Sequence, residues 1–86
     1  MFYMYILKSK KNDSLYFGFT NDLKKRFKEH NQGLSRYTNM YKPYELAYYE
    51  AYKSENDARQ REINLKHRRN AWNQLKMRIV ESIKTN

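Results

Sequence analysis

The chain opens on an apolar and aromatic run, Phe2–Leu7 (FYMYIL). A period of two sets Phe2, Met4 and Ile6 against Tyr3, Tyr5 and Leu7 and predicts a β-strand. The polar stretch Lys8–Ser14 reads as a loop. Leu15–Phe19 (LYFGF) reads as a second strand, with Leu15, Phe17 and Phe19 opposite Tyr16 and Gly18. Two strands joined by a short polar loop predict an antiparallel hairpin. Beyond it the period lengthens to that of a helix. Thr20 or Asn21 is the expected cap, Asp22 falls in the first turn, and Leu23 and Phe27 mark the inner face. The helix is expected to run to about Asn31, where Gln32–Gly33 stops it. Arg26 and His30 then lie one turn apart on a single flank.

Residues 34–43 form a polar loop carrying Tyr37 and Tyr41 and ending at Pro43, and Tyr44–Tyr52 (YELAYYEAY) reads as a third strand. Ser54-Glu55-Asn56-Asp57 resembles a capping box and starts a second long helix, on which Ala58, Glu62 and Leu65 share a face. Asn70 is the expected cap of a last helix, whose Trp72, Leu75, Ile79 and Ile83 form a packing stripe. The expected fold is α+β, a small three-stranded antiparallel sheet flanked by helices in the order β-β-α-β-α-α. With 86 residues, no repeats and no linker, 1–86 is expected to be one domain.

Composition narrows the chemistry. The absence of cysteine excludes a disulfide scaffold, a thiolate nucleophile and any cysteine-based metal site. No apolar run approaches the length of a membrane span, and the N-terminal charges follow the apolar residues, the reverse of a secretory signal. A cytoplasmic protein without a membrane partner is expected. The net charge is +9, unevenly spread. Residues 1–42 hold nine basic and three acidic groups, residues 43–57 one and four, and residues 58–86 eight and two. Two basic blocks around an acidic middle suit one polyanion-facing surface, or else a solvated face that keeps the protein soluble. Nine tyrosines in so short a chain supply core volume, and any left exposed offer a ring for a base to stack on.

The usual constellations are missing. Two histidines, His30 and His67, are too few and too distant for a histidine metal site, and there is no phosphate-binding glycine pattern. Glu62 is the one acid expected on the inner face of a helix. A carboxylate there needs a route to water, a partner such as Lys66, or a bound cation. One carboxylate completed by waters suits a single Mg²⁺.

The hairpin Tyr3-Met4-Tyr5 … Tyr16-Phe17-Gly18, then Arg26, then Glu62, resembles the GIY-YIG nuclease superfamily. The closer likeness is to its small single-domain bacterial members, related to the N-terminal nuclease domain of excinuclease C. It runs from Phe2 to about Lys66, and includes LYFGFTNDLKKRFKEHNQG and REINLK (Arg61–Lys66). Three positions depart from the family pattern. Tyr3 replaces the first motif glycine, Phe17 the isoleucine, and Phe19 a lysine that some relatives carry.

The resemblance implies a metal-dependent endonuclease that hydrolyses DNA, structure-directed and serving repair or recombination, with RNA left open as a substrate. It implies catalytic roles for Tyr5, Tyr16, Arg26, His30 and Glu62. Either tyrosine is the candidate base, Arg26 braces the phosphate, His30 lies near it, and Glu62 holds one Mg²⁺ or Mn²⁺ ion. Gly18, Lys24, Lys25, Lys66 and Asn73 are the candidate substrate contacts. So small a chain, expected to be a monomer, would draw specificity from a protein partner. Each residue also has a plainer reading: Tyr5 and Tyr16 as packing tyrosines, Arg26 as a surface cation, His30 as a favoured charge near a helix C-terminus. These leave a non-catalytic nucleic-acid-binding module as the alternative, and a protein-interaction domain using the acidic segment 44–57 as a third.

Overall fold

In the computed structural model, which describes residues 1–84, three strands form one antiparallel sheet in the order β2-β1-β3. β1 is Phe2–Ser9, β2 Leu15–Thr20 and β3 Tyr44–Tyr52. The helices are α1 (Leu23–Asn31), α2 (Glu55–His67), α3 (Arg69–Arg78) and the single turn α4 (Val80–Ile83), with a 3₁₀ turn at Asn39–Tyr41. The expected class and element order hold. β1 is the central strand and is covered on both faces. Met4 and Ile6 pack with Leu65, Leu75 and Ile79 beneath α2–α4, while Tyr5 and Leu7 pack with Tyr44, Leu23 and Phe27 beneath α1.

Four local boundaries differ from the sequence reading. β1 continues through Lys8 and Ser9, both buried, because each finds a pairing partner: Lys8 opposite Leu15 and Glu45, Ser9 opposite Tyr44. Lys8 also donates to the Ile83 carbonyl at 2.9 Å, at the end of α4. The cap of α1 is Asp22, whose carboxylate accepts from the Lys25 amide, since β2 still pairs through Thr20. Asn70 lies inside α3, because Arg68 alone (φ −118°, ψ 107°) separates α2 from α3. The last apolar stripe is divided at Ile79 (φ −119°, ψ 26°), yet Trp72, Leu75, Ile79 and Ile83 all reach the same core. Ser54 caps α2 as expected.

A bulge in β3 sets which side chains meet which helices. Ile6 pairs with Tyr48 and Leu7 with Leu46, so Ala47 is the extra residue and the alternation changes parity there. Tyr44 and Leu46 therefore face α1, whereas Tyr48 packs beneath the other helices. Glu50, two residues on, gathers bonds from Tyr48 Oη (2.6 Å), Tyr52 Oη (2.5 Å), and Arg61 Nε and Nη2 (2.9 and 3.2 Å). Burial alone would raise the Glu50 carboxyl. The bonds from Arg61, Tyr48 and Tyr52 hold it below the usual carboxylate range, which ties α2 to β3 just before Glu62.

Candidate active site

The pairing of Tyr5 with Gly18 sets the site. A side chain at Gly18 would overlap Cζ and Oη of Tyr5, so the phenol lies across β2 in the space the glycine leaves. Gly18 is itself buried; the close approach expected at this glycine is Tyr5's ring, and no surface is left there for a ligand. The ring comes to rest among groups from α1. Its hydroxyl is 2.8 Å from His30 Nε2 and bonds the Arg26 guanidinium, and Tyr16 packs 6.4 Å away, centroid to centroid.

His30 has no exposed surface. Its Nδ1 lies 2.7 Å from Thr38 Oγ1, and its ring packs against Tyr16 (5.0 Å between centroids) and Tyr5 (5.8 Å). His30 is thus enclosed, although the family resemblance implied a place near the phosphate, and its bonds are to Tyr5 and Thr38. Thr38, on the connecting loop, is a member of this assembly that the sequence reading missed. A guanidinium can only donate, so the Tyr5 oxygen accepts from Arg26. With Nε2 as acceptor the phenol O–H donates to it and Nδ1–H donates to Thr38 Oγ1, the tautomer that gives the phenol proton and both ring nitrogens a partner. Burial, with the neighbouring Tyr16 charge, pushes the Tyr5 phenol up to about 12, consistent with a retained proton.

Burial, aided by the Arg26 charge, lowers His30 from 6.5 to about 4. The folded protein thus binds this proton less readily than the unfolded chain does. Stability from His30 is complete above pH 6.5, is lost as the pH falls toward 4, and changes no further below that. About 3 kcal/mol is the expected loss between pH 7 and 4. Urea unfolding at several pH values checks it. His30→Gln, which has no ring to protonate, should lose that part of the slope, and an unchanged slope would place the titration elsewhere.

Arg26 is half-buried and shared between Tyr5 and Glu29, the latter at 3.1 Å. Glu62 approaches from α2, near enough for its charge to act on Tyr5, and its Oε2 pairs with Lys66 Nζ at 2.9 Å. The partner foreseen for an acid in an apolar stripe is therefore present. Among the described residues no three His, Cys, Asp or Glu side chains converge. Glu62, 18% exposed and already facing one cation, does fit a site where a hard metal takes one carboxylate and fills its other positions with water or phosphate oxygens. Tyr16, Lys66 and Trp72 line a groove of about 400 Å³ between β2 and the α2–α3 pair.

The remaining candidates lie further out. Lys25 shares a smaller cleft with Arg26 and Glu29 at the start of α1. Lys24 points the other way, into an apolar cleft with Tyr3 and Tyr49. Asn73 is exposed on α3, next to Trp72. Phe19, at the position of the family's occasional lysine, is covered by the Arg59 guanidinium, 4.2 Å from its ring centroid.

The family model of the GIY-YIG catalytic domain matches residues 1–76. The UPF0213 protein CPE1444 of Clostridium perfringens is 45% identical over 67 residues, 77% of this chain and 71% of that protein. UPF0213 protein YazA of Bacillus subtilis is 42% identical over 65 residues, 74% of this chain and 65% of YazA. The solution structure of the UPF0213 protein BH0048 from Bacillus halodurans superposes with a TM-score of 0.56 at 32% identity, covering 92% of this chain and 87% of that one.

Proposed function

This chain belongs to the GIY-YIG family, a nuclease family, and from that premise we propose that it is a metal-dependent endonuclease hydrolysing DNA phosphodiester bonds. One observation carries the reading. Tyr5, Tyr16, Arg26 and Glu62, drawn from β1, β2, α1 and α2, meet at one edge of the sheet in a chain of +9 net charge.

Tyr16 is the motif tyrosine open to the groove, and it takes the role of meeting the attacking water. Tyr5, enclosed and protonated, orients Arg26 from behind. Arg26 presents further donors to the scissile phosphate, where a fixed fork of N–H groups stabilises charge as it develops. Lys66 contributes a second cation at the groove. Glu62 would hold one Mg²⁺ or Mn²⁺ ion, which neutralises phosphate charge and eases departure of the leaving oxygen. Catalysis is then mostly positioning and electrostatics, and structure-directed cutting in repair or recombination is the setting that suits a chain this small.

The test is a gel assay with duplex, single-stranded and branched DNA and one RNA, in Mg²⁺, Mn²⁺ and EDTA. Cleavage that needs the metal is expected. Binding without cleavage of any substrate would replace this reading by a non-catalytic binding module. That second reading draws on the internal pairing of both key charges, Arg26 with Glu29 and Glu62 with Lys66.

A further inference from the structure

Between α1 and β3 the chain winds through turns with a repeat of three. The Thr38 amide bonds the Ser35 carbonyl and the Tyr41 amide bonds the Thr38 carbonyl, both spanning three residues, and the 3₁₀ turn Asn39–Tyr41 closes the segment. Ser35 and Thr38 are buried, Thr38 holds His30, and the Tyr41 carbonyl accepts from Ser9 Oγ at 2.6 Å. Leu34, Tyr37 and Met40 are 68%, 80% and 67% exposed. Arg36 and Lys42 have no acid nearby in sequence, since residues 30–44 contain no Asp or Glu, and Lys42 Nζ donates to Asn39 Oδ1 at 3.0 Å. Lys11 joins them, its Nζ donating to the Met40 carbonyl at 3.2 Å.

An 80%-exposed tyrosine contributes nothing to the core. Its neighbour Thr38 is fixed on His30, the Tyr41 carbonyl is fixed on Ser9, and Arg36 and Lys42 belong to the same segment. We propose that this ribbon is a second nucleic-acid contact, which selects unpaired nucleotides by stacking a base on Tyr37 while Arg36, Lys42 and Lys11 hold the flanking phosphates. The inference rests on the reading of the protein as a nucleic-acid enzyme and adds a substrate preference to it. A protein surface is the less fitting occupant, because among the described residues Arg36, Lys42 and Lys11 form no ion pair and a polyanion satisfies them. Bases of any identity stack on an aromatic face, so the ribbon selects strand state and not sequence. Through Thr38 and His30 the same segment is joined to Tyr5, which fixes the ribbon's position relative to the catalytic edge.

Fluorescence anisotropy in EDTA, with a labelled single strand of about 20 nucleotides and the matching duplex, tests this. Tyr37→Ala is expected to weaken single-strand binding about tenfold and duplex binding less than about twofold, with Tyr37→Phe close to wild type. Arg36→Ala should weaken both probes and flatten the salt dependence. Unchanged single-strand affinity in Tyr37→Ala, equal losses on both probes, or a loss in Tyr37→Phe as large as in Tyr37→Ala would overturn the proposal. Overturned in any of these ways, it leaves the nuclease reading standing. A wild-type protein that binds neither probe at low salt would remove both.

Discussion

Replacing Glu62 by alanine is expected to abolish metal-dependent cleavage while leaving affinity for nucleic acid unchanged or slightly higher. On the proposed reading this carboxylate would hold the metal, and removing it also removes a negative charge close to where phosphate would lie. Arg26→Ala should lower kcat by about 10²–10³, the usual cost of one preorganised donor aimed at developing charge, with a smaller change in KM. Arg26→Lys should recover little, because an ammonium cannot reproduce the fork that serves Tyr5, Glu29 and a phosphate together. Neither residue is fully buried, so both variants should fold, which circular dichroism and a denaturant midpoint would verify. Single-turnover cleavage separates chemistry from binding. Full activity in Glu62→Ala would show that the metal, if required, is held elsewhere.

The largest structural effect is expected from the smallest substitution, Gly18→Ala. Its Cβ would occupy the place of the Tyr5 phenol, which is rigid, buried and bonded to both His30 and Arg26. The ring must move, and the bond to His30 must lengthen or break. Overpacking of this kind costs about 1–3 kcal/mol. Because Tyr5 orients Arg26, catalysis should fall along with stability. A double-mutant cycle isolates the cause. In a Tyr5→Leu background no ring lies over the strand, and Gly18→Ala should cost far less there. Equal costs in the two backgrounds would mean that Gly18 matters for its backbone and not for the ring above it.

Periodicity and capping chemistry were enough to read the three strands, the α2 start at Ser54, the α1 stop at Gln32–Gly33 and the α+β order, because these follow from contacts between near neighbours. The family resemblance further named Tyr5, Tyr16, Arg26 and Glu62, which lie on β1, β2, α1 and α2 as the sequence reading placed them. Other features depend on distant partners. Lys8 and Ser9 read as loop and became strand because Lys8 pairs with both β2 and β3 and Ser9 with β3. The bulge at Ala47 leaves no local signature, yet it reverses the facing of β3 and brings Tyr48 and Glu50 to the α2 side. His30 read either as a neighbour of the phosphate or as a favoured charge near a helix C-terminus, and neither reading placed it in the interior. Thr38, eight residues on, returns beneath it and supplies the bond that makes burial tolerable. The sequence by itself determined which main elements form, since these are written in local spacing and residue type, and its family resemblance named the candidate side chains. Tertiary structure alone decided which tyrosine is enclosed and which meets solvent, because burial is a property of the surfaces brought together and not of the segment that supplies them.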